Sequence, residues 1–265
     1  MSDKARAELC PTGVLRAGIN LSNFLLVTGR SPDGDPQGVS PDMAAAIAAA
    51  LGVAVKYVPY KTPGELGDAV GSNAWDIGLI GAEPQRAQKI AFSAAYCEIE
   101  ATYMVPPGSA IKSINEVDKM GVRISVSARS AYGLWLENNI KNATLMPIAG
   151  LDAAFNKFKD EKLDVLAGLR PGLLKDIEKM PGATILPGKF SAVQQAVGTA
   201  KANKAGAEFL AGFVEEAKKS GLVGRLIEPS ISLHAPVAMP NFTRWRVRPC
   251  SPTDLPIRSS CCAMF

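Results

Sequence analysis

The chain has 265 residues, 47% apolar and 20% charged, so it can bury a sizeable core and global disorder is excluded. Lys and Arg total 29 against 25 Asp and Glu, and a formal charge of +4 gives little case for nucleic acid or a membrane surface as partner. One histidine excludes multi-histidine metal sites, and five cysteines cannot close a complete set of intramolecular disulfides.

The first ten residues carry four charges and no apolar segment, so no signal peptide is visible. The most apolar stretch, 43–55, is interrupted by Gly52 and falls short of the about 20 residues a membrane span needs. From there the body alternates strands and helices. A strand is predicted over 14–20, then a Gly-, Pro- and Asp-rich loop over 28–37. Asp42 is suited to cap a helix over 43–51 that stops at Gly52, and Val53, Val55 and Tyr57 alternate as a strand. A short helix over 65–70 and a buried strand over 75–80 complete the first set.

The second set repeats the plan. A short helix over 114–119 leads to a strand over 122–126, and Ser130 opens a helix to residue 140. Next come a strand over 144–148 and a helix over 151–158, with Leu151, Ala154, Phe155 and Phe158 on its apolar face. A strand over 163–169, a helix over 171–179 begun by Pro171, an extended run over 190–199 and an amphipathic helix over 205–220 follow. This order predicts an α/β fold with largely parallel strands. Chain crossings near 101–105 and 194–198 would divide it into a discontinuous lobe (12–103 with 193–228) and a second lobe (104–192).

Residues 229–265 differ in kind and read as an irregular tail, either a loose extension or a sequence not native to the domain. They hold six Pro, Cys250, Cys261, Cys262, the lone His234 and a Trp245-Arg246 pair. Four Arg and one Asp put +3 there, leaving +1 on residues 1–228. A Ser-His-Asp triad would depend on where His234 lies. Cys262-Ala-Met-Phe fits a prenylation box, and Asn142 and Asn241 head glycosylation sequons, patterns short enough to arise by chance. Cys10 and Cys97 read as small buried hydrophobes.

Five segments in order carry a resemblance: Leu15-Arg-Ala-Gly-Ile-Asn; Gly38-Val-Ser-Pro-Asp-Met-Ala with Leu51-Gly-Val; Trp75-Asp-Ile-Gly-Leu-Ile-Gly-Ala-Glu-Pro-Gln-Arg, then Ile90-Ala-Phe-Ser and Tyr96; Ser130-Ala-Tyr; and Leu163-Asp-Val. Together they resemble the bacterial extracellular solute-binding proteins of family 3, receptors of polar amino-acid ABC importers. The resemblance implies a two-lobed, periplasmic-binding-protein-like (type II) clamp with a ligand cleft between the lobes. It implies a protein that is not an enzyme, and that closes on an amino acid or related small carboxylate and delivers it to a permease. A monomer with no cofactor and no metal is expected. The family implies a periplasmic location, against the missing signal peptide; a native N-terminus would instead mean the cytoplasm.

By the resemblance, Arg86 holds the ligand carboxylate, for which a planar guanidinium is suited; otherwise it is a solvated Arg paired with an acid. Ser130 at a helix start can serve the same carboxylate or simply cap the helix. Gly81 and Ala82 permit close ligand approach or pack the strand end. Phe24 and Tyr60 are candidates for an apolar wall, or for core or rim. Family members that bind α-amino acids place acids where this chain has Leu169 and Asn20. Glu83 would replace the missing acid or favour a helix N-terminus. With Arg86, Arg129 and Arg170 near the cleft, a carboxylate without an amine becomes credible; Arg129 and Arg170 would otherwise point to solvent. The alternative function is an enzyme resembling cyclohexadienyl dehydratases on the same scaffold, with Glu83 as the general acid.

Overall fold

The computed structural model describes residues 2–234, with side chains through Glu228. In chain order the elements are α1 (Asp3–Leu9), β1 (Leu15–Asn20), β2 (Gly29–Arg30), β3 (Pro36–Gln37), α2 (Val39–Leu51), β4 (Val55–Tyr60), α3 (Pro63–Asp68), β5 (Ile77–Ala82), β6 (Ile90–Phe92) and β7 (Cys97–Val105). There follow β8 (Arg123–Ser127), α4 (Ala131–Asn139), β9 (Thr144–Ile148), α5 (Leu151–Asp160), β10 (Val165–Leu169), α6 (Arg170–Glu178), β11 (Thr184–Ile185), β12 (Ser191–Ala200), α7 (Lys204–Lys219) and α8 (Leu222–His234).

One path of strands runs β4-β1-β5-β12-β7-β10-β8-β9. Its two ends are parallel, as expected from the alternation of strand and helix: β1 lies between β4 and β5, and β8 between β10 and β9. The centre is antiparallel, against the expectation of a largely parallel sheet, because β12 and β7 run back through it and pair with each other and with β5 and β10. Those two strands are the segments expected to cross. β12 pairs with β5 over Gln194–Gly198, and β7 pairs with β10 over Ala101–Met104.

The core follows the same division. One apolar cluster joins Leu15, Ile19, Ile47, Leu51, Ile77 and Leu79 to Leu210 and Val214 of α7. Two others join Ile124, Val126, Leu136 and Val165, and Phe155, Phe158, Leu163 and Leu173. Each parallel set also repeats one polar device. The Asp76 carboxylate, before β5, accepts the backbone N–H of Arg16 in β1 at 2.8 Å and its Nε at 3.0 Å. Asp164, before β10, does the same for Arg123 in β8, at 2.9 and 3.1 Å. Both arginines also reach a carbonyl of a left-handed residue, Asn73 (φ 58°) and Lys162 (φ 49°).

Several boundaries differ from the sequence reading. α2 begins four residues earlier than expected, at Val39. Gly38 (φ 126°) is its N-cap and accepts from the Asp42 N–H, so Asp42 lies inside the helix rather than capping it. Pro41 is harmless there because the first-turn N–H groups have no helical acceptor anyway. α1 was not expected. Seven residues are too few to show a period, and the helix is held by packing of the fully buried Leu9 against Gly206 of α7, where a Cβ would stand 2.7 Å from Leu9 Cδ2. α8 continues to His234, correcting the irregular reading of the tail's first residues; Pro229 forfeits a helical hydrogen bond without ending the helix. Cys250, Cys261, Cys262, Trp245, Arg246 and Asn241 lie outside the described residues. Among the described residues, no helix is long and apolar enough to cross a membrane.

Candidate functional site

A cavity of about 490 Å³ opens where the C-terminal ends of β1, β5, β8 and β10 converge, the usual position for a ligand in α/β sheets. Six of the expected site residues line it: Asn20, Phe24, Gly81, Arg86, Ser130 and Leu169. Tyr60, Ala82, Glu83, Arg129 and Arg170 do not.

Arg86 begins a short 3₁₀ turn after β5 and is 8% exposed. Its Nη1 donates to the Gly81 carbonyl at 2.6 Å and its Nη2 to the Arg129 carbonyl at 2.8 Å, tying β5 to the loop before α4. Burial pushes the guanidinium pKa down to about 10, against the opposing pull of Glu83, whose Oε1 is 3.8 Å from Nε. Each terminal nitrogen of such a fork keeps a second N–H, so the group can still receive a carboxylate. Glu83 is otherwise engaged. Its two oxygens accept the backbone N–H groups of Gln85 at 2.8 Å and Arg86 at 2.5 Å, which makes it the cap of the turn.

Ser130 is the N-cap of α4: its hydroxyl accepts from Gly133 at 3.0 Å and donates to the Ser127 carbonyl at 2.7 Å. Tyr132 closes the wall behind it. Burial pushes its phenol to about 12, opposed by hydrogen bonds to Ser130 and Ser127. Gly81 is small for a reason visible in the packing: a Cβ there would stand 2.8 Å from Val193 Cγ1 and 3.0 Å from Ala131 Cβ. Asn20 accepts from the N–H and hydroxyl of Ser22, closing the turn after β1. Phe24 lies beneath Lys175, whose Nζ is 4.1 Å from the ring centroid.

The remaining expected residues are held elsewhere. Tyr60 packs with Leu66, Trp75, Ile80 and Ile90 on the far side of β5, and burial raises its phenol pKa. Ala82 ends β5 opposite Gln194. Arg129, at φ 58°, pairs side-on with Asp68 of α3 at 2.6 and 2.5 Å, both side chains exposed. Arg170 donates to Glu100 at 3.0 Å and to the Gly188 carbonyl. Burial raises the Glu100 pKa, but Arg170 and Lys189 outweigh it and hold the carboxyl below its usual value. Leu151, expected in the core, is 39% exposed and borders the cavity, because the first turn of α5 lies at its mouth.

Sequence reasoning missed Asn23, Lys61, Tyr132, Lys175, Asp176, Lys179 and Gln195 in the lining. Gln195 had a signal: it alternates with Val193 and Val197 on one face of an apolar strand, where an amide is out of place. Both lining acids pair with Lys179. Asp176 meets Lys179 at 2.9 Å, and the side chain of Asp152 is 94% exposed. Burial raises the Asp176 pKa, against Lys179.

The fold is that of known solute receptors. A cysteine-binding protein from Campylobacter jejuni superposes with a TM-score of 0.72 at 17% identity, over 91% of this chain and 97% of that one. An amino-acid ABC transporter substrate-binding protein from Streptococcus pneumoniae, bound to L-arginine, gives 0.69 at 20% identity, over 85% and 98%. An ancestral amino-acid-binding protein, a precursor of cyclohexadienyl dehydratase, gives 0.68 at 21% identity, over 84% and 98%. These establish a two-lobed type II clamp. No curated protein matches the sequence. The family model of the bacterial extracellular solute-binding proteins, family 3, matches residues 20–229, and the chain belongs to that family.

Proposed function

We propose that this protein binds a small carboxylate by closing its two lobes, residues 12–103 with 193–228 and residues 104–192, and delivers it to the permease of an ABC importer from the periplasmic side. Amino acids are the ligands in the names of its structural relatives. Here a carboxylate without an ammonium group fits better. The observation that carries this is the charge of the lining. Arg86, Lys61, Lys175 and Lys179 border the cavity against two acids, Asp176 and Asp152, both paired with Lys179, and Leu169 stands at the expected acid position. An ammonium buried beside them without a counter-charge would cost several kcal/mol.

Catalysis is disfavoured, since Glu83, the one carboxyl proposed as a general acid, is spent on capping and does not border the cavity. Calorimetric titration with amino acids, the matching acids lacking the amine, and dicarboxylates tests the reading. The expected result is binding of the amine-free acids, weakened at least about tenfold by Arg86→Gln. Tighter binding of the amino acids would overturn the ligand class. Equal binding by Arg86→Gln would overturn the site, and product detected by mass spectrometry would revive the enzyme.

A further inference from the structure

Two side-chain amides in the cavity wall have no partner. Asn23, on the loop after β1, is 9% exposed, and its Oδ1 is buried without a hydrogen bond. Gln195 of β12 is 5% exposed. Its backbone carbonyl accepts from Tyr96 at 2.9 Å, but its side-chain amide has no hydrogen bond among the described residues. Both residues line the same cavity as Arg86. Native proteins rarely leave a buried acceptor such as Asn23 Oδ1 unsatisfied, because the desolvation is then uncompensated; the Gln195 amide is not fully enclosed and stays open to the cavity.

The register places Gln195 well for a ligand. It stands opposite Gly81 in the antiparallel β12–β5 pair, so the two share a face of the sheet with Val193, and Arg86 Nη1 lies 3.7 Å from where a Gly81 Cβ would be.

The chemistry of an amide selects its partner. It offers a donor and an acceptor and carries no charge. An ammonium could use only the acceptor, and a carboxylate only the donor. A hydroxyl or a carboxamide uses both. Resting on the carboxylate reading above, we infer that Asn23 and Gln195 form a second polar grip. It recognises an uncharged hydroxyl or carboxamide on the ligand while Arg86 takes the carboxylate, so the ligand is a small hydroxy- or carboxamide-bearing acid.

Calorimetry on the full chain with four- to six-carbon ω-hydroxy acids, ω-carboxamide acids and the unsubstituted acids tests this. The wild type is expected to bind the substituted acids at least about tenfold more tightly than the unsubstituted ones. Asn23→Leu and Gln195→Met should each shrink that ratio to within about threefold. Asn23→Leu also removes an orphaned acceptor, so its ligand-free melting temperature should hold or rise. Equal wild-type affinity for substituted and unsubstituted acids would overturn the grip and leave the carboxylate reading standing. A preference that survives both substitutions, or an Asn23→Leu variant that melts clearly below wild type without ligand, would also overturn it. If no acid of the series binds, the carboxylate reading falls and the grip with it.

Discussion

At the scale of single residues, specificity turns on which acids are free. Glu83 looked available from its position before Arg86, but both its oxygens hold backbone N–H groups of the turn. Glu83→Ala should therefore cost more than the about 1 kcal/mol of a lost cap, since it also strands the buried Arg86 guanidinium, and leave ligand preference unchanged. A melting curve and one titration check both halves. Leu169 is the opposite case: it lines the cavity at the end of β10 and carries no charge. Leu169→Asp supplies the missing counter-charge, so α-amino acids should gain at least about tenfold over their amine-free analogues. If they gain nothing, the ammonium of a bound amino acid would not lie near residue 169.

At the scale of elements, the two halves share a plan whose strength differs between them. The Arg16–Asp76 pair is largely buried, with side chains 17% and 3% exposed, whereas Arg123–Asp164 is 44% and 38% exposed. Removing one member of a buried pair strands its partner's charge, so Asp76→Asn should destabilise by roughly 3–5 kcal/mol. Asp164→Asn should lose no more than about 1 kcal/mol, solvent screening the pair, and chemical denaturation would compare the two. Similar losses would mean that exposure does not set the difference. The strands and helices of this plan were legible because each carries a period: alternation in β4, the 3.6-residue face of α5. What the sequence hid was short or nonlocal. α1 has no period and exists through Leu9 packing on Gly206. The antiparallel centre needs β12 to return beside β5, a pairing over more than a hundred residues that no local pattern encodes. The candidate site divides the same way: Arg86 and Ser130 follow from local motifs, whereas Asn23 and Gln195 come to line one cavity only through the fold.

At the scale of the whole molecule, the proposed lobe division has the lobes joined by their own side chains. Arg129 is the joint: its carbonyl accepts from Arg86, and its guanidinium pairs with Asp68 on α3 across the cleft. That pair is exposed, so it contributes at most about 1 kcal/mol and is screened by salt. If the lobes close as proposed, such a contribution biases the equilibrium between open and closed forms without fixing it, leaving the ligand to decide. Asp68→Asn, or Arg129→Gly, which suits the left-handed φ at that position, should therefore enlarge the ligand-free radius of gyration. Either change should weaken ligand binding about two- to fivefold, and high salt should do the same to the wild type. Acid should act likewise. The hydrogen bond from Arg129 holds the Asp68 carboxyl below its usual range. A lowered carboxylate pKa stabilises the closed form above the ordinary value, and the contribution is lost as pH falls through the lowered one. Small-angle scattering of the ligand-free protein from neutral pH into strong acid should show opening only at the acid end, before unfolding, and none of that transition in Asp68→Asn. An unchanged profile in the variant would reduce the pair to an incidental surface contact.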